Sequence, residues 1–439
     1  MVTTSFDKLP SNVVAKAKMC TLDILGGALA ANDTKSVNCV RRVVQAISGR
    51  EESTLIGVGV KSPAPLAAWA NSVLANALDI DDGSIGAGGH AGHHGAMVVP
   101  ASLSLAESKG STGRSFIEAV VIGYEVGIRA GYIVSILLGD TGSGPMGSYG
   151  AVAASAKLLG LNEEETANAL RIVDAHNPIG SVVIPSEIAA VTCGKAMTKG
   201  KVGWAVLTGV VAALLAREGF TGLGSIYDDP RIDQALLSNL GREYEMLKVY
   251  HKCYCSCRLT HAALDGLLEL MQKYDLDAED VIKVTVGSSS TVTTLNNYRP
   301  HTLEEAQFSI PFVIGAALVD GKVAPEQINE RRLGDKAILN QADKVKLEVN
   351  PTIDASSLGK LGAIVKIEAK GGRTYVTHVD NPKGNIENPF GDDELREKFR
   401  SLSTRVLGEE KTEEVIRCVD DLENLSNIRE LTKLVNYVI

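Results

Sequence analysis

The residues best able to do chemistry in this 439-residue chain are concentrated between positions 76 and 100. Three carboxylates and three imidazoles lie there among several glycines, and they belong to Asp79, Asp81, Asp82, His90, His93 and His94. Histidine and aspartate are suited to moving protons near neutral pH, and glycine lets a backbone approach a ligand closely. The composition therefore predicts a site of proton transfer.

A solvated connection between two elements would have a similar polar composition. The flanking residues favour the functional interpretation, because Leu74 and Leu78 on one side and Met97 on the other belong to apolar, helix-compatible runs. A polar loop fixed at both ends by buried elements is a usual setting for catalytic groups. We therefore expect a catalytic loop.

Composition excludes several classes of function. The net charge of -9 is spread along the chain, which offers little basis for binding nucleic acid. Seven cysteines and no secretory leader predict free thiols and a cytoplasmic location. The most apolar run, residues 202–216, is shorter than the roughly 20 residues of a membrane span, and we expect it to be a helix buried on every side.

Hydrophobic periodicity divides the chain into helical and mixed parts. Apolar residues recur at helical spacing at both chain ends, whereas period-two alternation near Val284, Leu347 and Ile367 predicts strands. Gly371-Gly372 predicts a tight hairpin. We expect a mainly α fold with an α+β part. The large all-helical domain is formed by both chain ends, residues 1–268 and 392–439, and the smaller inserted α+β domain covers residues 269–391.

Polar groups in apolar or glycine-rich surroundings occur at four further places, one of which is Arg299 in the second domain. Tyr149 ends a second glycine-rich loop, predicted at residues 142–150. Lys199 precedes the apolar run at 202–216, where an ammonium and a helix N-terminus would favour an anion. The third group comprises Lys252, Arg258 and His261. Singly, such residues are more often packed or solvated, but together they suit a substrate with two or more carboxylates.

Metal binding is an alternative for the same loop, because its imidazoles and carboxylates are possible ligands. Cys253, Cys255 and Cys257 alternate with single residues, a tighter spacing than zinc sites use. The glycines at 86–89 match a dinucleotide fingerprint only in letters, since no hydrophobic strand precedes them. We therefore predict neither a metal nor a cofactor.

Several segments together resemble the MmgE/PrpD family, which includes 2-methylcitrate dehydratase, cis-aconitate decarboxylase and iminodisuccinate epimerase. They are residues 9–27, 77–82, 93–100, 123–126, 157–161, 219–222, 252–261, 306–311, 382–384 and 388–389. The resemblance implies a site in the cleft between the two domains, no cofactor and a homodimer. It also implies that Asp79, His93, Lys199 and Lys252 line the pocket.

We therefore expect a cofactor-independent lyase or isomerase that removes a proton α to a carboxylate of a small di- or tricarboxylate. His93, oriented by Asp79, is the expected base or acid, and Tyr149 is its partner on the other face. The groups expected to bind substrate or hold the developing negative charge are Lys199, Lys252, Arg258 and His261. The first expectation is a hydro-lyase like 2-methylcitrate dehydratase.

Three departures from the family's pattern leave other activities open. Gly83 and Thr141 replace a common threonine and histidine, and Phe312 replaces an aromatic hydroxyl of the decarboxylase. These departures argue against cis-aconitate decarboxylation. One alternative is an epimerase of a substituted succinate that uses Tyr149 and Lys199, like iminodisuccinate epimerase. Another is a non-catalytic, carboxylate-binding member of the family.

Overall fold

The computed structural model describes residues 1–47, 49–84, 92–138, 143–177, 194–197, 201–232, 235–355 and 361–436. Within these ranges the protein is mainly helical and carries two small sheets. The helices of the first part are α1 (Ser11–Ala30), α2 (Lys35–Ile47), α3 (Ala64–Ala77), α4 (Gly95–Lys109), α5 (Gly113–Leu138), α6 (Ser143–Leu159), α7 (Glu163–His176), α8 (Val202–Arg217) and α9 (Ala235–Ser238).

The later helices are shorter until the C-terminal segment. They are α10 (His261–Tyr274), α11 (Ser290–Thr293), α12 (Leu303–Gln307), α13 (Ile310–Asp320), α14 (Lys336–Ala342), α15 (Pro351–Ala355), α16 (Asp392–Leu407), α17 (Glu409–Asp420) and α18 (Arg429–Leu434). The strands are β1 (Ser53–Leu55), β2 (Val60–Ser62), β3 (Val281–Ser288), β4 (Val345–Val349), β5 (Ala363–Ala369) and β6 (Thr374–Val379). The predicted fold class, mainly α with an α+β part, is confirmed.

Close helix contacts in the first part depend on residues without side chains. A Cβ added to Gly150 on α6 would lie 2.9 Å from the carbonyl oxygen of Gly123 on α5 and 2.9 Å from Val98 on α4. Gly147 likewise leaves room for Met97. The predicted glycine loop at 142–150 is therefore wrong from Ser143 onward, because these glycines serve helix packing inside α6.

The prediction that the apolar run at 202–216 is buried on every side is also wrong. It forms α8, and α8 buries one side against the core while Trp204 is 56% exposed and Val211 is 36% exposed. The sequence analysis also missed the β1–β2 hairpin, which pairs Ser53 with Ser62. Among the described residues, no helix combines the length and apolarity needed to cross a bilayer.

The four-stranded sheet of the second part has the order β4-β3-β5-β6. β3 is parallel to β4 and antiparallel to β5, and β5 and β6 form the predicted hairpin. Gly371 and Gly372 have φ of 78° and 75° at its turn, a conformation that glycine adopts without strain. The alternation of β5 is also confirmed, because its odd-numbered positions 363–369 are buried against the core that α10 covers.

The C-terminal helices return to the start of the chain. α16 packs on α1, where a Cβ on Gly26 would lie 3.1 Å from the ring of Phe399. Both chain ends lie beside the residues that follow α3, because Lys398 on α16 contacts Asp23 on α1 and donates to Ile80 O. The domain limits at 268 and 392 stay a prediction.

Candidate functional site

The carboxylates of the predicted catalytic loop meet a lysine from far along the chain. Lys252 Nζ lies 2.5 Å from Asp79 Oδ1 and 3.9 Å from Asp81 Oδ1, and all three side chains are buried. Asp79 is the second residue after α3 and has φ of 54°, in the left-handed region that aspartate tolerates better than most residues. This backbone turn directs its carboxylate toward Lys252.

His93 adds the proton-handling group. Its Nδ1 lies 2.8 Å from Asp81 Oδ2, and Asn76 donates to the same carboxylate at 3.1 Å. Because an ionised carboxylate only accepts hydrogen bonds, Nδ1 carries the proton and Nε2 is the basic nitrogen. Nε2 is 3.9 Å from Asp79 Oδ1. The side chain of His93 is 21% exposed, whereas those of Asp79 and Asp81 are at most 2% exposed.

We call Asn76, Asp79, Asp81, His93 and Lys252 the His93 cluster. The structure brings together the predicted Asp79, His93 and Lys252, but it assigns the orienting hydrogen bond on His93 to Asp81 and pairs Asp79 with Lys252. The predicted role of Asp79 as the residue that orients His93 is therefore corrected. Both carboxylates lie near the ring, since Asp79 Oδ1 is 3.9 Å from Nε2, but the carboxylate within hydrogen-bond distance of Nδ1 is that of Asp81.

Electrostatics keep the cluster charged. Burial raises the pKa of Asp81, but the charges of His93 and Lys252 and the hydrogen bond from His93 outweigh it and lower that pKa below its usual value. Burial acts on Lys252 in the opposite sense, lowering its pKa. The carboxylates of Asp79 and Asp81 outweigh that effect as well and raise the pKa above its ordinary value. The ammonium of Lys252 thus stays protonated in a buried site.

Main-chain hydrogen bonds hold the two parts of the cluster together. Gly83 and Tyr250 form an antiparallel bridge, with Gly83 N donating to Tyr250 O at 3.1 Å and Tyr250 N donating to Gly83 O at 2.8 Å. The side-chain amide of Gln307 on α12 donates to Ala77 O at 3.0 Å, and the main-chain oxygen of Gln307 accepts from Cys257 N at 2.9 Å. The cluster therefore lies where helical elements of the first part meet segments that lead into the second.

Arg258 and His261, both predicted to bind substrate, lie beside the cluster. The guanidinium of Arg258 stacks over the ring of Tyr250 at 4.1 Å and donates to Asn385 Oδ1 at 2.7 Å. His261 Nε2 lies 3.2 Å from Ser256 O. Burial, with the charges of Lys252 and Arg258, lowers the pKa of His261 to about 3, so this imidazole is neutral.

Tyr149 is not brought to the His93 cluster. Its hydroxyl donates to Asp174 on α7, and its ring meets Tyr227 edge-on at 5.9 Å between centroids. Burial, followed by the charge of Asp174, raises the pKa of Tyr149 far above its usual value. Lys199, His90 and Thr141 lie outside the described residues. Of the other departures, Gly83 forms the bridge described above and Phe312 is fully buried on α13.

A second polar cluster, missed from the sequence, lies beneath the first. We call it the buried ion network, formed by Lys16, Asp23, Asp82, His251 and Lys398. Lys398 Nζ lies 2.5 Å from Asp23 Oδ1 and donates to Ile80 O at 2.8 Å. The signal that could have revealed it is a charge within an apolar helical face, as at Asp23 in α1.

His251 is held on both sides in this network. Lys16 Nζ lies 2.9 Å from His251 Nε2, and Asp23 Oδ2 lies 3.2 Å from His251 Nδ1. Burial lowers the pKa of His251 to about 4. Burial would raise the pKa of Asp23, but the charges of Lys398 and His251 lower it to about 2. Asp23 is thus a buried carboxylate whose charge the lysine compensates.

Asp82 belongs to the same network but behaves differently. It accepts from Tyr124 at 2.5 Å and from Gly95 N, at the start of α4, at 2.9 Å. Burial, together with the charges of Asp23 and Asp81, raises its pKa to about 7. Two adjacent carboxylates, Asp81 and Asp82, therefore have opposite pKa shifts, because only Asp81 has cations beside it.

Within the part of the chain that the structure describes, two groups of side chains have ligand atoms close enough to share a metal ion. They are Asp79, Asp81 and His93, and Asp23, Asp82 and His251. In each group a lysine ammonium already lies 2.5 Å from a carboxylate, Lys252 in the first and Lys398 in the second. A divalent ion would meet the repulsion of that buried charge, so neither group fits a metal well.

Fold and site together define a mainly helical protein with an inserted mixed sheet and a buried carboxylate–lysine pair beside a histidine. Residues 1–239 match the MmgE/PrpD N-terminal domain, and residues 254–424 match the MmgE/PrpD C-terminal domain. The chain belongs to the MmgE/PrpD family, as the resemblance in its sequence predicted.

Curated relatives align along nearly the whole chain. A cis-aconitate decarboxylase-like protein of Aspergillus oryzae, oryM, is 27% identical over 98% of this chain and 94% of its own length. The cis-aconitate decarboxylase of Homo sapiens is 24% identical over 97% and 91%, respectively. That of Aspergillus terreus is 24% identical over 98% and 93%. At the level of the family, these relatives support an enzyme of the lyase class.

Proposed function

We propose that the protein is a cofactor-independent lyase that acts on a small di- or tricarboxylate by forming a carbanion-like state α to a carboxylate. The observation that carries the proposal is the arrangement of His93. Its Nδ1 is bonded to an ionised Asp81, its ring is partly exposed, and the ammonium of Lys252 lies in the same cluster. An imidazole oriented in this way can take part in proton transfer at Nε2, and the adjacent carboxylate stabilises its imidazolium form.

The first reaction that we propose is dehydration. His93 Nε2 removes the proton α to a carboxylate, and the electron pair of the C–H bond develops into an enediolate. Lys252 supplies positive charge in a buried environment, where it stabilises such an anion more strongly than in water. The electron pair then forms the alkene as the β C–O bond breaks, and the departing hydroxide takes the proton held at His93 Nε2, so that water leaves and the imidazole is restored. Arg258 is proposed to pair with a second carboxylate.

Decarboxylation is the second candidate, favoured by the names of the relatives. It would use the same cations to stabilise the carbanion left when the C–C bond to carbon dioxide breaks, and His93, as an imidazolium, would then deliver the proton. The epimerase alternative receives less support, because the Tyr149 hydroxyl on which it depends is bonded to Asp174.

One set of assays separates these reactions. The purified protein is incubated with 2-methylcitrate and citrate while alkene absorbance is followed, and with cis-aconitate while carbon dioxide release is followed. Substituted succinates in deuterium oxide test for proton exchange. Alkene formation supports the hydro-lyase, and carbon dioxide release supports the decarboxylase. Exchange without either supports the epimerase. Binding of citrate without turnover or exchange would support a non-catalytic family member and contradict the proposed enzyme.

We also propose a cytoplasmic homodimer. Trp204 on α8 contacts Trp69 with 5.4 Å between ring centroids, yet it remains 56% exposed beside Val211. An exposed apolar helix face of this kind is typical of a subunit interface. The free cysteines among the described residues are consistent with a reducing compartment. Light scattering on the purified protein should give twice the chain mass, and Trp204→Glu should shift it toward the monomer. A monomeric wild type would contradict this proposal.

A further inference from the structure

Tyr250 differs from the other buried tyrosines. Three tyrosines of the described residues are buried, and two of them donate to carboxylates, Tyr124 to Asp82 and Tyr149 to Asp174. A buried tyrosine hydroxyl usually finds a hydrogen-bond partner. The Tyr250 hydroxyl forms no hydrogen bond with a described residue; its side chain is 6% exposed, and its oxygen is not one of the fully buried polar atoms that lack a partner, which leaves it open to a ligand.

The position of this hydroxyl is defined by Gly83. If residue 83 carried a Cβ, that atom would overlap the Tyr250 hydroxyl oxygen and would lie 2.6 Å from Cζ. The end of the phenol therefore occupies the space that a side chain at position 83 would need. This space adjoins the carboxylates of residues 79–82, and Lys252 follows Tyr250 by two positions.

Charged groups surround the phenol. The charges of Arg258, Lys252, Asp81 and Asp79 all act on Tyr250, after the larger effect of burial, which raises its pKa. The hydroxyl is therefore a neutral donor at physiological pH. The guanidinium of Arg258 stacks on its ring at 4.1 Å and fixes the plane of the phenol. The backbone bridge to Gly83 fixes the other end of the residue.

We propose that Tyr250 is a further substrate-contacting residue, whose hydroxyl donates a hydrogen bond to a carboxylate of the substrate bound at the His93 cluster. The inference rests on the proposed function and extends it, because it assigns to the site a neutral donor for a carboxylate of the substrate. Gly83 is needed for this position of the hydroxyl, since any larger residue there would displace the phenol of Tyr250. The substrate carboxylate takes the place of the protein acceptors that Tyr124 and Tyr149 have.

The test compares Tyr250→Phe with Tyr298→Phe. The first variant removes only the hydroxyl at the site, and we expect kcat/KM to fall about 10- to 100-fold, the loss typical of a hydrogen bond to a charged group. Tyr298 donates to Val345 O at 2.8 Å in the sheet domain, so its variant should keep kcat/KM within about twofold. The melting temperature of Tyr250→Phe should stay close to that of the wild type, because no protein hydrogen bond is lost.

Gly83→Ala provides a second, independent perturbation. Its Cβ should push the phenol away and lower kcat/KM about as much as Tyr250→Phe does. Because both changes remove one interaction, the double variant should lose much less than the product of the two losses. Fully multiplicative losses would contradict the inference, and so would wild-type kcat/KM in Tyr250→Phe.

Failure of the proposed function can be told apart from failure of this inference. If the wild type turns over and Tyr250→Phe is unaffected, only the inference is wrong. If the wild type binds citrate without turnover, calorimetry replaces kinetics: binding to Tyr250→Phe that is at least about tenfold weaker supports the inference, and equal binding contradicts it. If the wild type neither binds citrate nor turns over any of the acids, both proposals are wrong.

Discussion

The His93 cluster and the buried ion network are built from the same residue types and lie side by side, yet they differ in access to solvent. Each contains a histidine beside an aspartate and a lysine that pairs with a carboxylate at 2.5 Å. The histidine side chain is 21% exposed in the His93 cluster and 4% exposed in the buried ion network. In the buried ion network, Lys16 Nζ also lies 2.9 Å from the second imidazole nitrogen, Nε2 of His251.

This difference shows that composition does not distinguish a reactive cluster from a structural one. In the His93 cluster, Nε2 belongs to a partly exposed ring, and the proposed function assigns the reaction with substrate to this nitrogen. In the buried ion network, both nitrogens of His251 face protein groups, and burial lowers its pKa to about 4. The proposed function therefore places proton transfer at the first cluster, and we predict a role in stability for the second.

The strongest test of this division replaces each histidine in turn. His93→Gln should lower kcat about 10²- to 10⁴-fold, the usual contribution of a general acid or base, with little change in melting temperature. His251→Gln should instead destabilise the fold and keep most of the activity per folded molecule. Steady-state kinetics and thermal unfolding of both variants measure these effects, and His378→Gln, at a half-exposed position on β6, is a matched control. Equal loss of kcat in the two cluster variants would abolish the distinction.

The paired lysines give the next largest effect. Lys252→Met and Lys398→Met each break a buried ion pair, and each should lower the free energy of unfolding by about 3–5 kcal/mol. Only Lys252→Met should also lower kcat/KM of the folded fraction, by about 10²- to 10³-fold, because it removes charge from the reacting centre. Urea unfolding and active-fraction kinetics test this. If a variant does not fold, Lys252→Arg and Lys398→Arg allow the same comparison at smaller cost.

Tyr149→Phe sharpens the comparison at a third place. It removes the hydrogen bond to Asp174 in the helical core, and we expect a loss of about 1–3 kcal/mol in the free energy of unfolding. Since Tyr149 makes no described contact with the His93 cluster, the turnover rate should be little changed. If the turnover rate instead fell by about two orders of magnitude or more, as for a lost acid or base, the epimerase mechanism would be revived.

The smallest effect concerns pH. Asp82 has a pKa of about 7 in the fold against an ordinary value of 3.8, so the folded state holds its proton more tightly than the unfolded chain does. Its contribution favours folding at low pH and is lost as the pH rises from about 4 to about 7. Asp82→Asn should therefore gain stability relative to the wild type, by at least about 1 kcal/mol, between pH 5 and pH 8. Urea unfolding at the two pH values measures it.

His251 does not confuse this measurement. Its pKa is lowered to about 4 from 6.5, so its own contribution rises with pH over much of the same range. Both proteins retain His251 and the groups that shift its pKa, which are the buried surroundings, Lys16, Asp23 and Lys398, so most of that contribution cancels in the difference between Asp82→Asn and the wild type. A difference that does not change with pH would mean that Asp82 is ionised in the fold.

Periodicity and composition carried much of the fold and part of the site. The hairpin at Gly371-Gly372 and the strands around it were predictable because their signals are local. The glycines of α6 were mistaken for a loop. They make room for Met97 and Gly123, which are distant in the sequence, so no local pattern could indicate this role. The structure brings Asp79, His93 and Lys252 together, but it gives the hydrogen bond of His93 Nδ1 to Asp81 instead of Asp79, a choice between near neighbours that no sequence pattern contains.

The contact between Lys398 and the carbonyl of Ile80 has a consequence for biosynthesis. This hydrogen bond joins residues 318 positions apart and holds the main chain at Ile80, between Asp79 and Asp81. A nascent chain leaves the ribosome N-terminus first, so residues 79–82 lack the hydrogen bond from Lys398 until most of the protein has been translated. Premature termination before α16 would therefore produce a polypeptide that contains every residue of the His93 cluster and still lacks Lys398, which holds the main chain between Asp79 and Asp81.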